Sequence, residues 1–391
     1  MGLTLGSLLQ CTITRMKPIS LPLPAPAQRT RRRVNLALQG GGSHGAFTWG
    51  VLDALLEDGR LDFEGISGAS AGAVNAVALA HGFATARAAD GDRAAAQAAA
   101  RETLGRVWRR VAGAGAPGAI AQQFARLLFG DGSALRSTLG MDPWASPYHF
   151  NPLDINPLRQ LLDQEIDFDA LAALAAPRVF VSATQVRTGR AEIFHGERLT
   201  LAAVMASACL PTMFQAVEID GDPYWDGGYS ANPALLPLID RCQSADIVLV
   251  QLNPLTRVET PRTPFEIEQR MTELAFNASL LSQMRSIDFI NQLLADGRLQ
   301  EGTQYRKLLL HRIDVDSASH APLSAASKMS ADIRMIEALF ESGRAAASDW
   351  LAQNFDALGR HSTIDIQQDY VAGTVTTPLT PPVNEKPSKR A

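Results

Sequence analysis

The sequence predicts an α/β fold in which a mostly parallel sheet is covered by helices on both faces. Three observations carry that expectation. Short apolar runs of strand length occur at Val34–Gln39 and Phe63–Ala69, each is followed by apolar residues at helical spacing or by a run of helix formers, and a turn of small residues marks each junction. Strands that alternate with helices are joined by crossovers, which make neighbouring strands parallel and bury both faces of the sheet. The 391 residues, 46% of them apolar, supply a core for one large domain.

The elements follow in order. After the first run, "GGGSHG" (40–45) leads into a helix with Phe47, Val51, Leu55 and Leu56 on one side. After the second, Ser70 makes a sharp turn into "AGAVNAVALAHG", which is rich in helix formers. Residues 84–113 read as an alanine- and arginine-rich helical stretch. "AIAQQFARLLFG" (119–130) sets Ile120, Phe124, Leu127 and Leu128 on one helical face, suited either to core packing or to a lipid-touching access flap. "MDPWASPYHFNPLDINP" (141–157) is an irregular loop by its prolines. There follow a helix near Leu158–Gln164, a strand at Arg178–Thr184, an apolar helix at 199–210, and strands near Phe214–Ile219 and Ile247–Leu252. A long amphipathic helix at 265–296, a strand at 305–315 and a helix at 331–356 close the domain. The economical organisation is one domain over 34–360, with a helical and loop insertion at 85–175, an N-terminal arm at 1–33 and a polar, proline-rich tail at 361–391.

A net charge of -4 gives no global attraction to nucleic acid, so none is expected as a partner. Arg29, Arg31, Arg32 and Arg33 form a local basic patch that suits a solvated arm or a weak membrane-surface anchor. Cys11, Cys209 and Cys242 are too few and too scattered for a disulfide framework or a zinc site, which fits a reducing compartment. No apolar stretch reaches the ~20 residues that span a bilayer. "GLTLGSLL" lacks the flanks of a secretory signal, Gln10 before Cys11 argues against a lipoprotein signal, and Met16 serves as well as Met1 for a start. The expected location is therefore cytoplasmic, with peripheral membrane contact allowed; no cofactor or metal is expected, and the oligomeric state is open.

Three short motifs can carry chemistry. Gly40, Gly42 and Gly45 satisfy the dinucleotide fingerprint G-x-G-x-x-G after a strand and before a helix. That reading also needs a carboxylate at the end of the second strand to hold the ribose, and Gly68-Ala69-Ser70-Ala71-Gly72 stands there instead. The latter is G-x-S-x-G, a nucleophile elbow whose small flanking residues permit a strained turn that exposes the serine; the plainer reading is a serine that caps its helix. A serine needs a base. Asp226-Gly227-Gly228 supplies a carboxylate, although Asp-Gly is also a strong hairpin signal. A triad histidine would come from His311, His320 or His361, none of which carries a motif. The backbone N–H groups of Gly40, Gly41 and Gly42 at a helix start suit a developing oxyanion, where each donor is worth roughly 3–4 kcal/mol.

With "GGGSHG" at 40–45, "GASAG" at 68–72 and "DGG" at 226–228 in this order, and Asn232-Pro233 after the last, the chain resembles the patatin-like phospholipases over about 34–255. The resemblance implies a three-layer α/β/α fold and hydrolysis of lipid esters, or of other carboxylic esters, through an acyl-serine. It makes Ser70 the nucleophile, Asp226 the base acting without a histidine, and Gly40–Gly42 the oxyanion donors. Gly45, Gly68, Gly72, Gly227 and Gly228 then support the motifs. His44 departs from the arginine or lysine common in that family, and is either a substitute or a solvated residue without a role. Two other readings stay open: an acyltransferase using the same serine, and a non-catalytic lipid- or nucleotide-binding module.

Overall fold

β1 (Arg32–Leu38) lies at the centre of the parallel part of the sheet, with β2 (Leu61–Gly68) parallel on one side and β7 (Asp246–Gln251) parallel on the other. The computed structural model describes residues 30–113, 146–257, 260–302, 305–315 and 332–371. β8 (Leu309–Asp314) continues the parallel order beyond β7, and β3 (Arg178–Gln185) continues it beyond β2. At that edge the direction reverses: β4 (Ala191–Phe194) and β6 (Asp222–Asp226) run antiparallel to β3, and β5 (Val217–Ile219) pairs with β6. The order across the sheet is β5-β6-β3-β2-β1-β7-β8, with β4 on β3.

Alternation along the strands sorts the core into two layers, as a sheet covered on both faces requires. Val34, Leu36, Leu38, Val248 and Val250 face a core built with α1 (Gly45–Asp58), α2 (Ala71–Ala88), α3 (Arg93–Gly113) and α10 (Ile333–Asn354). Ala37, Ile247 and Leu249 face the other, which holds residues of α8 (Leu236–Arg241) and α9 (Pro264–Ala295). α9 starts with Pro264 after a Thr263–Glu266 capping box, which fixes its first turn. Between these come the short helices α4 (Pro147–Phe150), α5 (Pro157–Glu165), α6 (Phe168–Ala172) and α7 (Leu201–Ser207). The chain thus forms the expected mostly parallel α/β sheet with helices on both faces.

Several expectations shift. Arg32 and Arg33 belong to β1 and not to an arm, because the Arg32 N–H starts the sheet by donating to Arg60 O. Residues 84–113 form two helices, broken at Asp90, whose φ is 52°. The described part of 85–175 packs into the domain, with Leu104, Val107 and Trp108 of α3 and Leu161 and Leu162 of α5 in the first core. Phe214 enters a small cluster with Cys209 and Met213 from a turn, so β5 starts only at Val217. Residues 361–371 are no tail, since Ile366 and Tyr370 are buried in the second core and Gln367–Val371 makes a π-helical turn. Residues 1–29, the apolar 119–130 segment and 372–391 lie outside the described residues. No helix among the described residues is long and apolar enough to cross a membrane.

Candidate active site

Ser70 stands between the end of β2 and the start of α2 with φ 52° and ψ −124°. That region is costly for any residue with a Cβ, and it turns the side chain out of the strand-to-helix bend. Close packing makes the bend possible: a Cβ on Gly68 would lie 2.4 Å from Gly72 O, and one on Gly72 2.2 Å from Leu38 O. The Ser70 hydroxyl does not cap α2, which removes the plainer reading of the motif. Its backbone N–H donates to Ser207 Oγ at 2.9 Å, while the eighteen-residue α2 directs the positive end of its dipole at this position.

Asp226 comes to Ser70 through the antiparallel edge. β3 pairs with β2 so that Val181 is opposite Gly68, and Asp226 at the end of β6 is opposite Ala183 of β3. Thr184 Oγ1 donates to Asp226 O at 2.7 Å, and the Asp226 N–H donates to Cys209 O at 2.8 Å, which fixes the backbone from both sides. The carboxylate is fully buried. Its Oδ1 accepts the Gly228 N–H at 2.7 Å. Oδ2 has no partner within hydrogen-bond geometry, although the Ser70 hydroxyl is near enough to favour the charged carboxylate. Burial wins over both of these influences and pushes the Asp226 carboxyl up to about 7. Asp226-Gly227 is no hairpin turn, because Asp226 caps the 3-10 turn Gly227–Tyr229; the hairpin between β5 and β6 turns at Asp220-Gly221, with φ of 54° and 81°.

The glycine loop leaves the end of β1 beside the serine. A Cβ on Gly40 would lie 2.8 Å from both Ser70 Cβ and Ala69 O, so only glycine admits this approach. Gly40 is nevertheless a poor candidate for an oxyanion donor, because its N–H is committed to Asn232 Oδ1 at 2.6 Å. Among the described residues the N–H groups of Gly41 and Gly42 donate to no acceptor. Gly45 opens α1, where a Cβ would meet Ala71 and Trp108, and a Cβ on Gly228 would meet the Phe276 ring. His44 is 1% exposed and hence not the solvated residue that was one expectation for it.

Other expected participants stand elsewhere. His311 lies on β8, three strands from β2, and its Nε2 pairs with Asp246 Oδ1 at 3.0 Å while Nδ1 meets Thr363 Oγ1 at 3.1 Å. His361 is exposed beyond α10; His320 lies outside the described residues. The second strand ends in Gly68 with no carboxylate in the ribose position. Ser207, Gln39 and Asn253, which help hold the loop and the elbow, carry no motif that marks them individually, whereas Asn232 stands in the Asn232-Pro233 pair that follows the third motif. For Gln39 and Asn253 the only signal in the sequence is a polar residue at the end of an apolar element, as in "LALQG" and "VLVQLN".

The sequence model of the patatin-like phospholipases matches residues 36–239, a span that contains Gly40–Gly42, Ser70 and Asp226. Among solved structures, VipD from Legionella pneumophila is 14% identical with a TM-score of 0.37, covering 82% of this chain and 67% of that one. A chain of the heterodimeric ExoU–SpcU complex from the type III secretion system of Pseudomonas aeruginosa is 17% identical with a TM-score of 0.38, covering 88% of this chain and 58% of its own length. No curated protein matches.

Proposed function

The chain belongs to the patatin-like phospholipase family, and from that premise we propose that it is a lipid acyl hydrolase, of phospholipase A or carboxylesterase type, working through an acyl-Ser70 intermediate. The observation that carries the proposal is a buried carboxylate with one oxygen left over for the serine: Asp226 Oδ1 is held by Gly228 and Oδ2 is not held. A base whose pKa is near neutrality is both ionised and able to return the proton. Asp226 takes the Ser70 proton as Oγ attacks the ester carbonyl, and the carbonyl electrons move onto oxygen. The Gly41 and Gly42 N–H groups meet that oxyanion at the start of α1, where the helix dipole adds to their effect. When the tetrahedral adduct collapses, the protonated Asp226 gives its proton to the departing alcohol. Water, deprotonated in turn by Asp226, then releases the acid and restores the serine.

Hydrolysis of a p-nitrophenyl ester by three proteins tests this dyad. Asp226→Asn should lose about 10²–10⁴-fold in kcat, the span typical for a general base, whereas His311→Gln should stay within about threefold of the parent. Comparable losses in both variants would overturn the dyad in favour of a histidine base. Addition of an alcohol acceptor and analysis of the acyl products separates the hydrolase from an acyltransferase.

A further inference from the structure

The glycine loop carries a reversal that the strand leading into it does not dictate. Gln39 donates its N–H to Val250 O on the β7 side, and Leu38 O accepts the Ala69 N–H on the β2 side. In a strand these directions alternate from residue to residue, so β1 carried one residue further would aim both the N–H and the C=O of Gly40 toward β2. The N–H keeps that direction and meets Asn232 Oδ1. The C=O does not: it accepts from Asn253 Nδ2 at 2.8 Å, and Asn253 follows β7, on the opposite side of β1. A trans peptide is planar, with its N–H opposed to its C=O. Turning the Gly40 carbonyl toward β7 therefore turns the Gly41 N–H toward β2, where Ser70 stands.

We infer that Asn253, together with Asn232, is a positioning residue whose side-chain amide turns over the Gly40–Gly41 peptide and so presents the Gly41 N–H to the oxygen formed when Ser70 attacks. The clamp is rigid at its base. The Asn253 N–H donates to Gln39 Oε1 at 2.8 Å and its carbonyl accepts from Gln251 Nε2 at 3.1 Å, while Gln39 Nε2 is held by Asn277 Oδ1 of α9 at 3.0 Å. Both asparagines are buried. Asn232 receives the Gly40 N–H on Oδ1 at 2.6 Å, so the two asparagines grip the two sides of Gly40. The inference rests on the acyl-serine reading, since it gives the turned amide its task.

The test uses Asn253→Asp, an isosteric change whose carboxylate cannot donate to the Gly40 carbonyl, and Asn253→Ala as a second variant should the charge impair folding. Two quantities are measured: kcat and KM for a p-nitrophenyl ester, and inhibition by an alkylboronic acid, whose adduct on Ser70 places an oxygen in the same hole. A misdirected donor should lower kcat about 10²-fold. It should leave KM within about threefold and raise the boronate inhibition constant by about the same factor as kcat falls. A merely structural role would lower the urea midpoint and leave kcat and boronate affinity unchanged. An active parent with folded variants of unchanged kcat overturns the clamp alone; a parent that neither hydrolyses the ester nor binds the boronate overturns the acyl-serine reading and the clamp with it.

Discussion

Two residues at this site are held in states that folding by itself disfavours. Ser70 occupies a positive-φ backbone conformation, φ 52° and ψ −124°, at a cost of order 1–3 kcal/mol. Asp226 keeps a carboxyl group in a fully buried position with only one strong donor on it. The raised pKa of Asp226 fixes two pH dependences of opposite sense. As a base it must be ionised, so kcat/KM should rise with pH along a limb centred near 7, the value to which burial lifts it. For stability the sign reverses: a carboxyl whose folded pKa is raised stabilises fully when protonated, below its ordinary unfolded value, and that contribution is lost as pH rises through about 7. Asp226→Asn should therefore melt higher than the parent at pH 8, by a margin that shrinks as pH falls toward 4, as differential scanning calorimetry across that range would register. A parent that is the more stable of the two at pH 8 would contradict the burial argument. Ser70 and Asp226 were both legible in the sequence because each sits in a short motif whose small neighbours are a steric requirement. Asn253 was not singled out, and Asn232 only as half of the Asn-Pro pair that follows the third motif, because a buried amide clamp depends on two distant loops converging on Gly40, and no local pattern encodes that.

At the level of elements, the segment "VEIDGDPYWDGGY" contains two Asp-Gly pairs of the same composition and opposite use. Asp220-Gly221 closes the β5–β6 hairpin as a two-residue turn with both φ values positive, the type that matches strand twist. Asp226-Gly227 ends β6 and starts a 3-10 turn. The two glycines should respond differently to alanine. Gly221 has open space where a Cβ would go, so Gly221→Ala costs only the backbone penalty, about 1–2 kcal/mol. A Cβ on Gly227 would lie 2.0 Å from Ser182 O, and overpacking of that kind displaces backbone at a cost of about 3 kcal/mol or more. Urea unfolding of both variants measures the difference; equal costs would mean that the turn has been assigned to the wrong pair. Propensity could not separate these pairs in the sequence. What separates them is that Gly227 is wedged against β3, a contact between elements far apart along the chain.

Across the whole molecule, the site forms where β1, β2 and β7 end together, at the carboxyl edge of a parallel sheet, with the antiparallel edge swung in to deliver Asp226. Crevices outside the carboxyl ends of such strands are where open α/β sheets bind ligands. The alternation of strand and helix made this layout legible in outline, since Val34–Gln39, Phe63–Ala69 and Ile247–Leu252 all fall on strands of the parallel sheet. The C-terminal boundary was not legible, because residues 361–371 are polar in composition yet place Ile366 and Tyr370 in the core. Tyr370 reaches further still: its hydroxyl donates to Gln251 Oε1 at 2.7 Å, and Gln251 Nε2 holds the Asn253 carbonyl, so the segment closes a polar chain that ends at the glycine loop. The central claim, that these elements converge to make Ser70 a nucleophile, is tested most directly by treating the parent and Ser70→Ala with a fluorophosphonate and locating the adduct by peptide mass spectrometry. The account predicts one adduct, on Ser70, in the parent and none in the variant, with both proteins unfolding at similar temperatures. An adduct on another residue, or a folded parent that remains unlabelled while labelling succeeds on a control serine hydrolase, would contradict it.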